Sequence, residues 1–176
     1  MPDSRVGVIN RVNVVGGPVV IVEGAADVSI GEVVYVGEEG LIGEVVRVSG
    51  NKFTVQVYES TSGLRPGEPV YTTGKLLTAE LGPGLMGNIF DGVQRPLESV
   101  LKLTGAFVKR GAKVNALDRS RKWPFTPTLK PGEKVEGGDV LGTVQETCLI
   151  THKIMVPPGV HGTLKEVYEG DFTVED

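Results

Sequence analysis

The chain of 176 residues contains a single cysteine, Cys148, so it forms no internal disulfide and fits a reducing compartment. Long apolar runs are also missing: none approaches the roughly 20 residues that span a bilayer, and the opening MPDSRVGVIN has no signal-peptide core. These two absences predict an intracellular, soluble chain whose link to any membrane is indirect. No G-x-x-x-x-G-K-[ST] segment occurs, which excludes a P-loop of the chain's own. Aromatic residues make up only 6%, and the strand-like segments lack the rings on which nucleic-acid bases stack.

What is present has globular proportions. Hydrophobic residues form 40% and charged residues 23%, which excludes disordered, collagen-like and coiled-coil classes, and the length suits one ordinary domain or two small ones. The net charge of −4 is unevenly spread: residues 95–123 carry eight basic and two acidic side chains, a local excess of +6, and each flank sums to −5. Such a segment suits a solvated face, a nucleic-acid backbone or an acidic partner surface.

From Arg5 to Tyr71 the sequence runs through short Val- and Ile-rich pieces, RVGVINRVNVV, PVVIV, EVVYV, LIGEVVRV and FTVQVYE, separated by Gly-Gly-Pro, Glu-Glu-Gly and Ser-Gly-Asn turns. Partial period-two alternation with turns about ten residues apart predicts a small antiparallel barrel or sandwich. The adjacent Val45 and Val46 mark either a strand covered on both faces or a bulge.

The stretch LGPGLMGNIFDGVQRPL, Leu81 to Leu97, formally matches G-x-G-x-x-G at Gly82, Gly84 and Gly87. That pattern holds a pyrophosphate only between a strand and a helix N-terminus in a βαβ unit, whereas Gly92 and Pro96 break any helix here. One short helix is expected after Pro96, with Leu97, Val100, Leu101 and Leu103 as its apolar stripe and Gly105 as its stop.

Beyond Gly111, strands return between Pro131-Gly132, Gly137-Gly138 and Pro157-Pro158-Gly159. The order strand, turn, strand, hairpin, strand, turn, strand resembles lipoyl and biotinyl carrier domains. In that register the modified lysine falls at Leu149, which carries no cofactor, and Lys153 lies four residues on, so the expectation is the fold without the swinging-arm chemistry. Cys148, His152 and His161 match no closed zinc site, because a fourth ligand is missing. Glu38, Glu39, Asp139 and Glu146 read as turn and surface carboxylates with unshifted acidity. Trp123-Pro124-Phe125-Thr126-Pro127 reads as a proline-restricted loop, either a hydrophobic patch for a partner or a plug over the second domain.

IGEVVRV (Ile42 to Val48), QVYESTSGLRPGEPV (Gln56 to Val70), TGKLLTAELGPGLMGNIFDGVQRPLE (Thr73 to Glu98) and KWPFTP (Lys122 to Pro127) resemble the N-terminal part of the catalytic A subunit of archaeal and vacuolar-type rotary ATPases; GDVLGTVQET and HKIMVPPGVHG extend the match. The resemblance implies a mainly β chain: an N-terminal crown barrel over residues 1–72, a connector over 73–109 that is the truncated start of the nucleotide-binding domain and holds one short helix, and a β-rich barrel-sandwich bulge over 110–176. In that family A and B subunits alternate in a hexameric head, which makes or hydrolyses ATP and is coupled to ion flow through the membrane. The family's catalytic chain is several times longer, and its P-loop and catalytic glutamate lie beyond this sequence, which is therefore expected to be a fragment without catalytic, cofactor or metal-binding residues. ATP or ADP and Mg belong to the longer parent. The implied partners are B subunits, other A subunits, and peripheral-stalk subunits on the bulge, with no nucleic acid and no membrane insertion, in a cytoplasmic head peripheral to the membrane. Candidate partner contacts are Arg119, Arg121, Lys122, Trp123, Phe125 and Pro127. A nucleic-acid-binding barrel and a biotinyl- or lipoyl-like carrier are the alternative readings. Finally, Leu85, Ile89, Phe90, Leu97 and Leu101 are expected to lack full cover, and burial of all five would contradict this division.

Overall fold

The computed structural model describes residues 10–24 and 27–176. Strands expected within Arg5 to Ile9 lie outside the described residues. By contacts the chain divides into two units: one takes the residues up to Thr78 with Thr104–Ala112, the other Ala79–Leu103 with Lys113–Asp176. The segment 73–109, read from sequence as a connector, is thus shared between the two.

In the first unit, β1 (Asn10–Gly16), β2 (Val19–Glu23), β3 (Glu32–Val36), β4 (Leu41–Ser49), β5 (Lys52–Val57) and β6 (Pro69–Leu76) form a closed barrel in the order β1-β2-β5-β4-β3-β6. β1 closes it on β6 through Asn10 opposite Val70. Closure leaves no unpaired sheet edge. Alternate residues point inward, so Val20, Val22, Val34, Val36, Leu41 and Val55 form a core almost without exposure. Each such valine or leucine contributes about 1.5–3 kcal/mol of apolar burial before the entropy of ordering is charged against it.

The Val45-Val46 pair is a bulge: the β4–β5 register shifts between Val45 and Arg47, leaving Val45 buried and Val46 exposed. Close approach of β5 explains Gly43, because a Cβ there would stand 2.7 Å from Val55 Cγ1 and 2.9 Å from the Gln56 carbonyl oxygen. The segment Thr104–Ala112 is held on this unit by Arg110, which donates to Glu39 Oε1 at 2.7 Å, and by the Gly111 amide, which donates to Glu59 Oε2 at 2.7 Å.

The second unit contains α1 (Leu97–Thr104) up to Leu103, and β7 (Trp123–Pro127), β8 (Lys134–Val135), β9 (Val140–Gln145), β10 (Thr151–Met155), β11 (Gly162–Thr163) and β12 (Gly170–Phe172). A four-stranded antiparallel sheet runs β10-β9-β7-β12, and β11 pairs with β8. The helix starts and stops where expected: Pro96 precedes it and accepts from the Val100 amide at 3.0 Å, and Gly105 follows at φ 75°. Only Val100 of its apolar stripe is buried. The Trp123–Pro127 stretch, expected as a loop, is instead an inner strand between β9 and β12. Prolines rarely sit inside sheets, yet Pro124 and Pro127 occupy this inner strand. Phe125 there meets Phe172 edge to face at 6.3 Å, and its ring occupies the space above Gly142, where a Cβ would come within 2.2 Å.

Candidate functional site

The Gly-rich stretch forms a compact loop rather than a strand-to-helix turn. Gly84 and Gly87 take φ values of 108° and 84°, a region that side chains disfavour, and Asn88 Nδ2 donates to the Gly84 carbonyl at 2.6 Å. Two backbone amides of the loop converge on one acceptor: Gly84 N–H at 2.8 Å and Met86 N–H at 2.9 Å both donate to Glu146 Oε1. The other carboxylate oxygen lies 3.4 Å from His152 Nδ1. Backbone amides of this kind hold phosphate in nucleotide loops, and here they hold the chain's own carboxylate.

The Glu146 side chain is 3% exposed, which corrects its reading as a surface carboxylate. Burial alone pushes its pKa up, but the Met86 and Gly84 amides and His152 together outweigh burial and hold it below the ordinary glutamate value. The signal was present in the alternation along β9: Gly142, Val144 and Glu146 share one buried face.

Downstream, Asp91 organises the approach to the helix. Its Oδ1 accepts from the Val93 and Arg95 amides at 3.1 and 2.8 Å, and its Oδ2 accepts from Arg95 Nε at 2.7 Å. Burial tends to raise the Asp91 pKa, yet these bonds bring it below the usual value. Gln94 is held at φ 61° and bonds the Glu80 backbone at both ends, its Oε1 accepting from the amide at 2.6 Å and its Nε2 donating to the carbonyl at 2.7 Å. With Phe90 bridged to Pro96, this turn rules out a helix directly after the glycines.

A groove of about 730 Å³ in the second unit is lined by Arg119, Trp123, Phe125, Val144, His152 and Phe172, among others. It brings together three of the six candidate contact residues, Arg119, Trp123 and Phe125. Of these Arg119 is half-buried and pairs with Glu80, with Glu175 at 3.5 Å. Trp123 is 5% exposed and therefore belongs to the interior of its unit, with the exposed Arg121 guanidinium 3.8 Å above its ring. Lys122 is exposed and Pro127 half-buried; neither lines the groove.

Cys148 and His161 are exposed, His152 faces Glu146, and among the described residues no group of three or more His, Cys, Asp or Glu side chains could hold a metal. Leu149 stands at the tip of the β9–β10 hairpin, 91% exposed, where the carrier register puts it. Four of the eight basic residues in 95–123 pair within their own units: Arg95 with Asp91, Lys102 with Glu98, Arg110 with Glu39 and Arg119 with Glu80. Of the five apolar residues expected to lack cover, Ile89, Leu97 and Leu101 are exposed, and Leu85 and Phe90 are half-buried. No helix among the described residues is long and apolar enough to cross a membrane.

Residues 12–74 match the beta-barrel domain of the ATP synthase alpha/beta family, and residues 114–176 match the barrel-sandwich domain of the ATP synthase alpha/beta subunit. The whole chain is similar to the A subunit of the A-type ATP synthase of Thermofilum pendens, 64% identical over 177 residues and covering 29% of that protein. The corresponding A-type protein of Hyperthermus butylicus is 63% identical over 94% of the chain, and the V-type ATP synthase alpha chain of Clostridium perfringens 54% identical over 92%, each match covering 28% of the relative. The chain thus spans under a third of the length of the curated relatives it matches.

Proposed function

The chain belongs to the ATP synthase alpha/beta family, alongside the A-type A subunit and the V-type alpha chain, and from that membership we propose that it is the assembly portion of a catalytic A subunit. The parent enzyme couples ATP synthesis or hydrolysis to the movement of protons or sodium ions, with ATP or ADP and Mg bound by residues outside this chain. The barrel joins neighbouring A and B subunits into the head. The barrel-sandwich unit offers its groove and the Arg121 and Lys122 side chains to peripheral-stalk subunits, at the cytoplasmic periphery of the membrane.

The observation that carries this reading is the exposure of the apolar side chains Leu81, Met86, Ile89, Leu97 and Leu101, which calls for a covering protein surface. The Gly-rich loop supports the same division of labour, because the two amides that a phosphate would need already serve Glu146. Titration calorimetry of the chain with Mg-ATP tests it. No heat of binding is expected up to millimolar nucleotide, and one-to-one binding at micromolar Kd would overturn the reading.

A further inference from the structure

We propose that Glu146 is a proton-releasable latch, the resident anion of a backbone nest that fixes the Gly-rich loop to the β9–β10 hairpin. The geometry is that of an anion site. Two amides spaced two residues apart, on a loop whose glycines adopt positive φ, meet one carboxylate oxygen at 2.8 and 2.9 Å. The carboxylate comes from the hairpin base, where the Glu146 amide donates to the Ile150 carbonyl at 3.0 Å and so fixes the side chain's origin.

The charged environment is simple. Residues Leu81 to Asn88 contribute no titratable side chain, and the titratable group facing the carboxylate from β10 is His152. Protonating Glu146 removes the negative charge that the two amides and the imidazole solvate, leaving a neutral acid that accepts more weakly. The contribution of the latch is therefore complete above the ordinary glutamate value and is lost as pH falls through the depressed one. Release frees two loop amides and leaves the barrel unit unaffected.

Amide NMR of the chain between pH 7 and pH 2.5 reads the latch directly. The Gly84 and Met86 resonances should move together, with one midpoint below the ordinary glutamate value, while barrel amides such as Val20 and Val55 stay unchanged through that midpoint. In Glu146→Gln the shared titration should disappear. In Glu146→Ala, hydrogen exchange at both amides should accelerate about tenfold or more, and formate, a carboxylate small enough for the vacated nest, should slow it again. Flat resonances, a titration that persists in E146Q, or Gly84 and Met86 opening only together with the barrel would each overturn the proposal. The wild-type titration decides the matter even if E146A fails to fold.

Discussion

Asp91 builds a turn by serving two amides and the Arg95 guanidinium at once. Sequence alone reads Glu146 as a turn or surface carboxylate. That reading fails, because the partners come from residues 84 and 86, about sixty positions earlier. No local pattern encodes a contact of that span; only the alternation of Gly142, Val144 and Glu146 hinted at a buried face. Asp91→Ala strands two backbone donors and a partly buried guanidinium, so the second unit should lose about 1–3 kcal/mol in urea unfolding. The Asp91 pKa is lowered in the fold, so its contribution is present above the unfolded value and lost as pH falls through the folded one. The difference between wild type and D91A should therefore be full at pH 7 and shrink towards pH 3. A difference constant with pH would show that Asp91 acts through packing alone.

At the scale of elements, the barrel was legible because its strands carry valines at period two between strong turn signals, and burial of one face rewards that pattern wherever it occurs. The short helix was legible from Pro96 and Gly105, which act locally. β7 was not, because Trp123–Pro127 contains two prolines and owes its place to Phe125 packing on Phe172 and Gly142, both distant in sequence. The two sheets make separable predictions. Gly142→Ala drives a methyl into the Phe125 ring and the Thr126 carbonyl, and Gly43→Ala drives one into Val55 and the Gln56 carbonyl. Each should destabilise its own unit by about 1–3 kcal/mol, the usual range for overpacking. Hydrogen exchange read amide by amide should show G43A loosening the barrel strands and G142A loosening β7, β9 and β12. Uniform loosening across the chain by either variant would show that the two units open as one.

For the whole molecule, sequence similarity identifies the family, while the structure shows what this part of it can do: a barrel with its edges closed, a sandwich with an apolar groove, and apolar side chains without full cover. The loop with nucleotide-like glycines has its amides committed to Glu146. The central proposal is that the chain assembles with protein and leaves nucleotide chemistry to other parts of a longer subunit. Sedimentation velocity of the chain mixed with the B subunit of an A-type ATP synthase tests it most directly. A faster-sedimenting complex containing both proteins at about 50 µM is the predicted result, a concentration that detects association as weak as about −6 kcal/mol. Two independent boundaries at that concentration, with the barrel amides showing a folded chain, would contradict the account.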